Sequence, residues 1–416
     1  MEVRLGYKLT EVGVIPEDWG VSTVGEEFSV QLGKMLDAEK NDGVAKPYLS
    51  NRAVQWGRID LDSIGLIKLT PPDLQRLRLR AGDLLVCEGG EVGRAAIWKQ
   101  EIQECYFQKT LHRLRPTRGY NVRLMLNVLH RLASTGFLLN FVTKTSIAHL
   151  PKDKIEKVPI PLPSTKAEQE AITEALSDSD ALIESIEQLI TKKRHIKQGA
   201  MQDLLTGKRR RLAGFKGEWK SRPLGEVIAH CSSGATPYRG RPDYYKGNVK
   251  WISSGELNYN VIIDTREKIS TEAVEKTNLK VHPVGTFLMA ITGMEAEGTR
   301  GACGIVGSPA TTNQSCMAIY PTPELCTPFL YHYYVCHGDD LALRYCQGTK
   351  QQSYTARLVK ILPIDLPPSV AEQGAIARVL SDLDAEIAAL EAKLAKARQI
   401  KQGMAQNLLT GRIRLI

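Results

Sequence analysis

Nothing in this chain has the spacing of an assembled active site. Gly207-Lys208 is followed by arginine, so no GxxxxGK[ST] phosphate loop forms. No GxGxxG follows a β-prone run, and no HExxH occurs. Thr70-Pro71-Pro72-Asp73 and Leu366-Pro367-Pro368-Ser369 both fail the Asn/Asp-Pro-Pro-aromatic pattern of amino-methyltransferases. The glycine-rich stretch 89–93 reads as a hairpin turn rather than a phosphate cradle. These absences argue against catalysis, metal binding or a cofactor on this chain. The eight cysteines contain no CxxC pair, and the chain is too long for a disulfide-stapled mini-domain. They read as reduced, buried thiols of a cytoplasmic protein. The ten-residue spacing of Cys316, Cys326, Cys336 and Cys346 matches no metal pattern. No run of about 18 apolar residues exists, so no membrane span is expected. Nor does the N-terminal stretch carry a basic region followed by an apolar one, so no secretory signal is expected.

What the chain does have is a long internal copy. Residues 163–207 recur at 367–411 without a gap, Glu168 aligning with Glu372, and roughly half the positions are identical. Self-similarity at so long a period makes the chain a tandem of two half-proteins. Prolines 159, 161 and 163 precede the first copy, and prolines 363, 367 and 368 the second. Thr165-x-x-Glu168 and Ser369-x-x-Glu372 then read as capping boxes, with the glutamate reaching back to the cap amide. Gly207 and Gly411 close the copies as C′ residues.

Between these signals runs a heptad. In the second copy the seam is Ile376, Leu380, Leu383, Ile387, Leu390, Leu394, Ala397, Lys401, Met404 and Leu408. In the first it is Ile172, Leu176, Ser179, Ile183, Ile186, Ile190, Lys193, Lys197, Ala200 and Leu204. Alternating steps of four and three predict a coiled coil. A helix of about 40 residues is roughly 60 Å long and needs a partner along its length. The other copy is the natural one. Antiparallel pairing suits a pseudo-twofold tandem, because parallel pairing would make one module span the whole helix backwards. Gly199 and Gly403 hold matching places in the two copies, where each costs ~1 kcal/mol against alanine. A close backbone approach, a docking groove or a frayed turn would each account for them.

The segments before the copies are related more weakly: Trp19…Val24-Gly25-Glu26 is echoed by Trp219…Leu224-Gly225-Glu226. The tail GRIRLI leads cyclically toward the chain start, much as GKRRRLAGFKGEW joins the first copy to the second module. In each module a strand, a glycine turn and a strand (82–98 and 285–307) precede a Gln-containing strand and a helical stretch (120–140 and 326–346). The expected class is α+β: two globular α/β modules, each with a small antiparallel sheet, and two long helices in an antiparallel coiled coil. The boundaries are 1–162 and 208–366 for the modules, and 163–207 and 367–416 for the helices. A net charge of +9 suits a nucleic-acid partner, since neutralising phosphates releases counterions.

Two variable modules alternating with near-identical helices resemble the specificity subunit of type I restriction-modification systems. IPEDW near the start, AEQ at each helix opening and IKQG…LLTG at each helix end carry the resemblance, with GATPYRG…WISSGEL at 234–257. It implies that each module is a target-recognition domain reading half of a split double-stranded DNA sequence. It implies that the helices set the half-site separation and dock two methyltransferase subunits, which bind S-adenosylmethionine, and that ATP-driven restriction subunits join. The specificity subunit itself carries no catalytic residue or cofactor. Where the second module has GATPYRG, the first has LGKMLDAEKNDGV, so different half-sites are expected.

Side chains on base edges read sequence, while Lys and Arg on phosphates set register. The candidates in the first module are Arg52, Gln55, Arg58, Arg94, Gln108 and Lys109. In the second they are Tyr238, Arg239, Arg241, Lys250, Asn258, Arg300, Gln314, Lys350 and Gln351. Tyr244 and Tyr245 suit stacking or the core equally, and Lys208-Arg209-Arg210-Arg211 suits phosphate contact or a solvated linker. The rival reading is a coiled-coil assembly scaffold that binds no DNA.

Overall fold

The computed structural model describes residues 4–37, 41–143, 148–207, 211–293, 299–346 and 352–415. Its contacts divide the chain into two compact units, Met1–Glu187 with Lys393–Ile416, and Gln188–Ala392. The repeated segment forms two unbroken helices of 39 residues, Lys166–Leu204 and Val370–Leu408. At their starts the Glu168 amide donates to Thr165 Oγ1 at 3.1 Å, and the Glu372 amide to Ser369 Oγ at 3.2 Å. The other half of the expected capping box does not form, because both glutamate carboxylates are taken by arginines from elsewhere in the chain. At the helix ends Gly207 and Gly411 take φ of +61° and +64°, and a β-carbon there would overlap Trp219 and Pro16.

In the first unit a four-stranded antiparallel sheet runs in the order Ala95–Ile97, Leu84–Cys87, Leu111–Pro116, Phe28–Leu32. Leu84–Cys87 is apolar throughout and buried throughout, as a central strand covered on both faces must be. The helix Val122–Ser134 buries Leu124, Met125, Val128, Leu129 and Leu132 in the core formed by Trp19, Phe28 and Leu84. Ile172 and Leu176 of the first long helix join that core, and so do Met404 and Leu408 of the second. A second sheet pairs Tyr106–Phe107 in parallel with Val44–Leu49, which pairs antiparallel with Gly65–Leu69.

The second unit repeats the plan with additions. Its five-stranded sheet runs Ile228–Ser233, Cys316–Pro321, Phe287–Ala290, Cys303–Val306, Asn260–Ile262, the last pair parallel. Its three-stranded sheet places Val249–Ile252 between Glu267–Ile269 and a parallel Ala310–Thr312. The first unit has the small antiparallel sheet expected, and each unit adds parallel pairings between strands distant in sequence, which leave no local signature. Ile376 and Leu380 pack in this core with Leu204 and the helix Thr327–Tyr345. The cysteines are free and buried or half-buried.

Within each unit the two long helices pair antiparallel, and their ion pairs recur with the repeat. In the first unit Lys401 meets Asp180 and Arg398 meets Glu187. In the second, at positions 204 residues away, Lys197 meets Asp384 and Arg194 meets Glu391. Lysines that interrupt the apolar seam are therefore the ones that reach across it. Ile186 and Ile190 are buried, while Ile183, Leu383, Ile387, Leu390 and Leu394 are half-buried. A β-carbon at Gly199 or Gly403 would meet nothing within 4 Å, so neither glycine serves a close approach inside the chain.

The same symmetry closes the helix ends. In the first unit Arg414 pairs with the fully buried Glu168 and with Asp18, and Trp19 Nε1–H donates to Glu168 at 3.0 Å. In the second unit Arg211 donates to the equally buried Glu372 at 2.7 Å from both Nε and Nη2. Arg211 is thus a structural clasp and not a free phosphate ligand; Lys208, Arg209 and Arg210 lie outside the described residues.

Candidate nucleic-acid interface

Gln108 and Gln314 lie one place apart in the same turn of the two units, where a strand was expected. Leu111 N–H donates to the Gln108 carbonyl as Cys316 N–H does to that of Asn313, so Gln108 matches Asn313 and Gln314 matches Lys109. Gln108 lies between Tyr106–Phe107 and Leu111–Pro116, and Gln314 between Ala310–Thr312 and Cys316–Pro321. Each turn is crossed by a loop leaving the first strand of its main sheet. A β-carbon at Gly33 would overlap the Gln108 carbonyl, and one at Gly234 would overlap the Thr312 carbonyl. Glycine at these two positions lets the loops LGKM and SGAT lie directly on the turns. The dissimilar stretches noted in the sequence therefore start from one shared anchor.

In the first unit two open cavities flank Gln108. One, of about 640 Å³, is lined by Arg52, Asn51, Ser50 and Tyr48. The other, of about 530 Å³, is lined by Lys109, Glu88, Thr110 and His149. Leu36 and Gln108 belong to both. The Gln108 amide donates to Thr110 Oγ1 at 2.7 Å, while its buried carbonyl oxygen has no hydrogen-bond partner. Met35 and Leu36 stand half exposed at the rim. Burial pushes the Glu88 carboxyl up from its ordinary range, with His149 and Lys109 opposing. A carboxyl, an amide and a lysine on one rim offer both acceptors and donors to base edges.

Other first-unit candidates divide. Arg52 and Arg58 are exposed, and Gln55 donates to the Arg52 carbonyl at 2.9 Å. Arg94 is a brace instead: its guanidinium donates to the Asn51 carbonyl at 2.8 Å and pairs with Glu91. Asn51, Glu88 and His149 were not singled out from the sequence. Only their neighbours in the fold reveal them, because no local pattern marks them out.

In the second unit most candidate cations are already engaged. Arg239 forks onto Glu267 at 2.6 and 2.9 Å and lies 4.3 Å from the Tyr245 ring centre. Arg241 pairs with Asp243 and covers Tyr244. Lys250 donates to the Ile263 carbonyl at 2.6 Å and to Ser308 Oγ at 2.7 Å. Arg300 pairs with Asp339. These four hold the loops in shape; Asp243 is a neighbour of Arg241, while the partners of Arg239, Lys250 and Arg300 come from segments the sequence does not link to them. Tyr244 is buried and the Tyr245 hydroxyl donates to the Pro237 carbonyl, so core packing claims both. Tyr238 is 74% exposed. Gln314 is exposed and accepts from Thr236 Oγ1. Asn258 lines a shallow cavity of about 530 Å³ with Glu256, Asn260 and Arg266. Lys350 and Gln351 lie outside the described residues.

No described helix is long and apolar enough to cross a membrane. The family model for the type I restriction modification DNA specificity domain matches twice, over residues 16–193 and 216–399. The MjaX type I restriction enzyme specificity subunit of Methanocaldococcus jannaschii is 23% identical, over 98% of this chain and 97% of its own length. The MjaVIII specificity subunit of the same organism is 25% identical, over 96% and 94%. Among solved structures, the type I S subunit of M. genitalium superimposes with a TM-score of 0.62 at 15% identity, over 98% of both chains, so the fold is shared. The chain belongs to the type I restriction-modification DNA specificity family.

Proposed function

We propose that this member of the specificity family reads a bipartite double-stranded DNA site, one half per unit, and directs methyltransferase and restriction partners to it. Gln108 with Arg52, Lys109 and Glu88 is assigned the first half. Gln314 with Tyr238 and Asn258 is assigned the second. A carboxamide bonds an adenine edge through two atoms, and each such pair discriminates by about 1–3 kcal/mol. The observation that carries the reading is the duplicated polar turn, Gln108-Lys109 in one unit and Asn313-Gln314 in the other, crossed in each by a loop that differs between them. The long helices are assigned the half-site separation. Their outer faces, open at Gly199 and Gly403, are assigned the docking of two methyltransferase subunits. S-adenosylmethionine then belongs to those subunits and ATP to the restriction subunits; this chain supplies no catalytic group.

The test is footprinting of the chain with its methyltransferase partner on a random duplex library. Protection of a split sequence is expected. Adding or removing whole heptads in both helices should change the spacer and leave each half-sequence intact. A complex that forms without DNA preference, insensitive to salt, would favour the scaffold reading.

A further inference from the structure

The first unit contains a cationic cavity that the recognition reading does not use. It has a volume of about 520 Å³ and lies between the helix Val122–Ser134 and the last turns of the second long helix. Its charged lining is Arg131, Arg398, Lys401 and Arg412, with His130 beside them, and no carboxylate lines it. Two of the four cations are neutralised, Arg398 by Glu187 and Lys401 by Asp180. Among the described residues, the guanidinium groups of Arg131 and Arg412 have neither a carboxylate nor a hydrogen-bond acceptor. Burial, and then the charge of Arg412, push the Arg131 guanidinium down from its ordinary value. Arg131 is half-buried and Arg412 exposed. Two like charges without a carboxylate partner oppose one another, and a cation drawn partly out of water is normally paired. A dianion would match the two uncompensated charges.

The site is not a by-product of the repeat. The Asn121 amide donates to Gln169 and the Cys326 amide to Gln373, which sets the correspondence between the two module helices. By that correspondence the second unit has Cys336, Asp339 and Asp340 where the first has Arg131, Ser134 and Thr135. The long-helix positions, Arg398 and Lys401 against Arg194 and Lys197, are unchanged. Arg412 itself aligns with the cation Lys208, so the positive excess arises in the module helix, at Arg131.

We infer that this cavity is a phosphate-binding site in which Arg131 and Arg412 clamp one phosphate group and His130 and Asn127 line its mouth. Guanidinium groups recognise phosphate through paired, charge-assisted hydrogen bonds. The phosphate comes either from a small phosphorylated compound or from a nucleic-acid backbone, and the experiment separates these sources.

The full-length chain is titrated with inorganic pyrophosphate by calorimetry. In a second arm it is titrated with a short duplex at several salt concentrations. Arg131→Gln and Arg412→Gln together should weaken pyrophosphate binding by at least about tenfold, while Arg131→Lys keeps most of it. If the backbone is the source, pyrophosphate competes with the duplex, and the double variant lowers the log–log salt slope by about 1. If a small compound is the source, pyrophosphate binding is lost and the slope is unchanged. Because neither arginine has a protein partner, the double variant should melt at or above the parent temperature. Absence of pyrophosphate binding above a chloride control, together with an unchanged salt slope, overturns the site. A clearly lowered melting temperature of the double variant also overturns it, since the arginines would then be holding the fold.

Discussion

Replacing Glu168 is the sharpest probe of how the chain closes on itself in the first unit. Its side chain is 1% exposed and binds Arg414, which Asp18 also holds at 3.0 Å; Trp19 Nε1–H reaches the same carboxylate. Breaking a buried ion pair by removing one partner costs about 3–5 kcal/mol. In Glu168→Gln the amide oxygen still accepts from Trp19, and Arg414 keeps Asp18, so the loss should be roughly 2 kcal/mol. In Glu168→Ala the indole N–H is orphaned as well, at a further cost of about 1–3 kcal/mol, giving roughly 4 kcal/mol. Urea unfolding followed by tryptophan fluorescence, with m-values compared, measures both. A double-mutant cycle with Arg414→Met should return a coupling above about 1 kcal/mol. Equal stability of the two Glu168 variants, or values within about 0.5 kcal/mol of the parent, would refute the reasoning.

Other consequences follow from the same geometry. Burial, with Lys280 nearby, holds His282 neutral at about 4, and burial holds His332 at about 4 while it faces Ser381. Between pH 6.5 and 4 the unfolded chain takes up protons that these imidazoles do not, so stability of the second unit rises with pH through that window and falls on acidification. The urea midpoint measured against pH should show this, and His282→Gln should flatten it. Leu380→Ala, at a fully buried seam position, should cost about 3 kcal/mol. By contrast, Asp180→Asn with Asp384→Asn should cost under about 1 kcal/mol in total, because the two carboxylates stand 54% and 38% exposed at the edge of the seam. A larger loss in thermal melts would mean that the ion pairs, not the apolar seam, hold the helices together.

The parts of the fold set by local pattern were readable from the chain alone. The heptad, the cap hydroxyls and the C′ glycines are local, and both helices begin and end within a few residues of those signals. The lysines inside the seam have partners 187 and 221 residues away in sequence, which no local pattern reveals. The roles of Glu168 and Glu372 were misread for the same reason: a capping box is a local motif, and the arginines that displaced it arrive from another segment. At the candidate interface the residue types were right but their availability was not. Arg94, Arg239, Arg241, Lys250 and Arg300 all have carboxylate or carbonyl partners that sequence spacing does not reveal. Gln108 and Gln314 survive because each keeps one end of its carboxamide unengaged, the Gln108 carbonyl oxygen and the Gln314 amide nitrogen.

The most direct test exchanges one recognition unit. Residues 208–366 are replaced by the corresponding segment of a relative with a different specificity, and the bound sequences of parent and hybrid complexes are selected from random duplex DNA. One half-site should change, while the other half and the spacer length stay as they were. Hybrids that alter both halves, or parents that select an unsplit sequence, would contradict the assignment of one half-site to each unit.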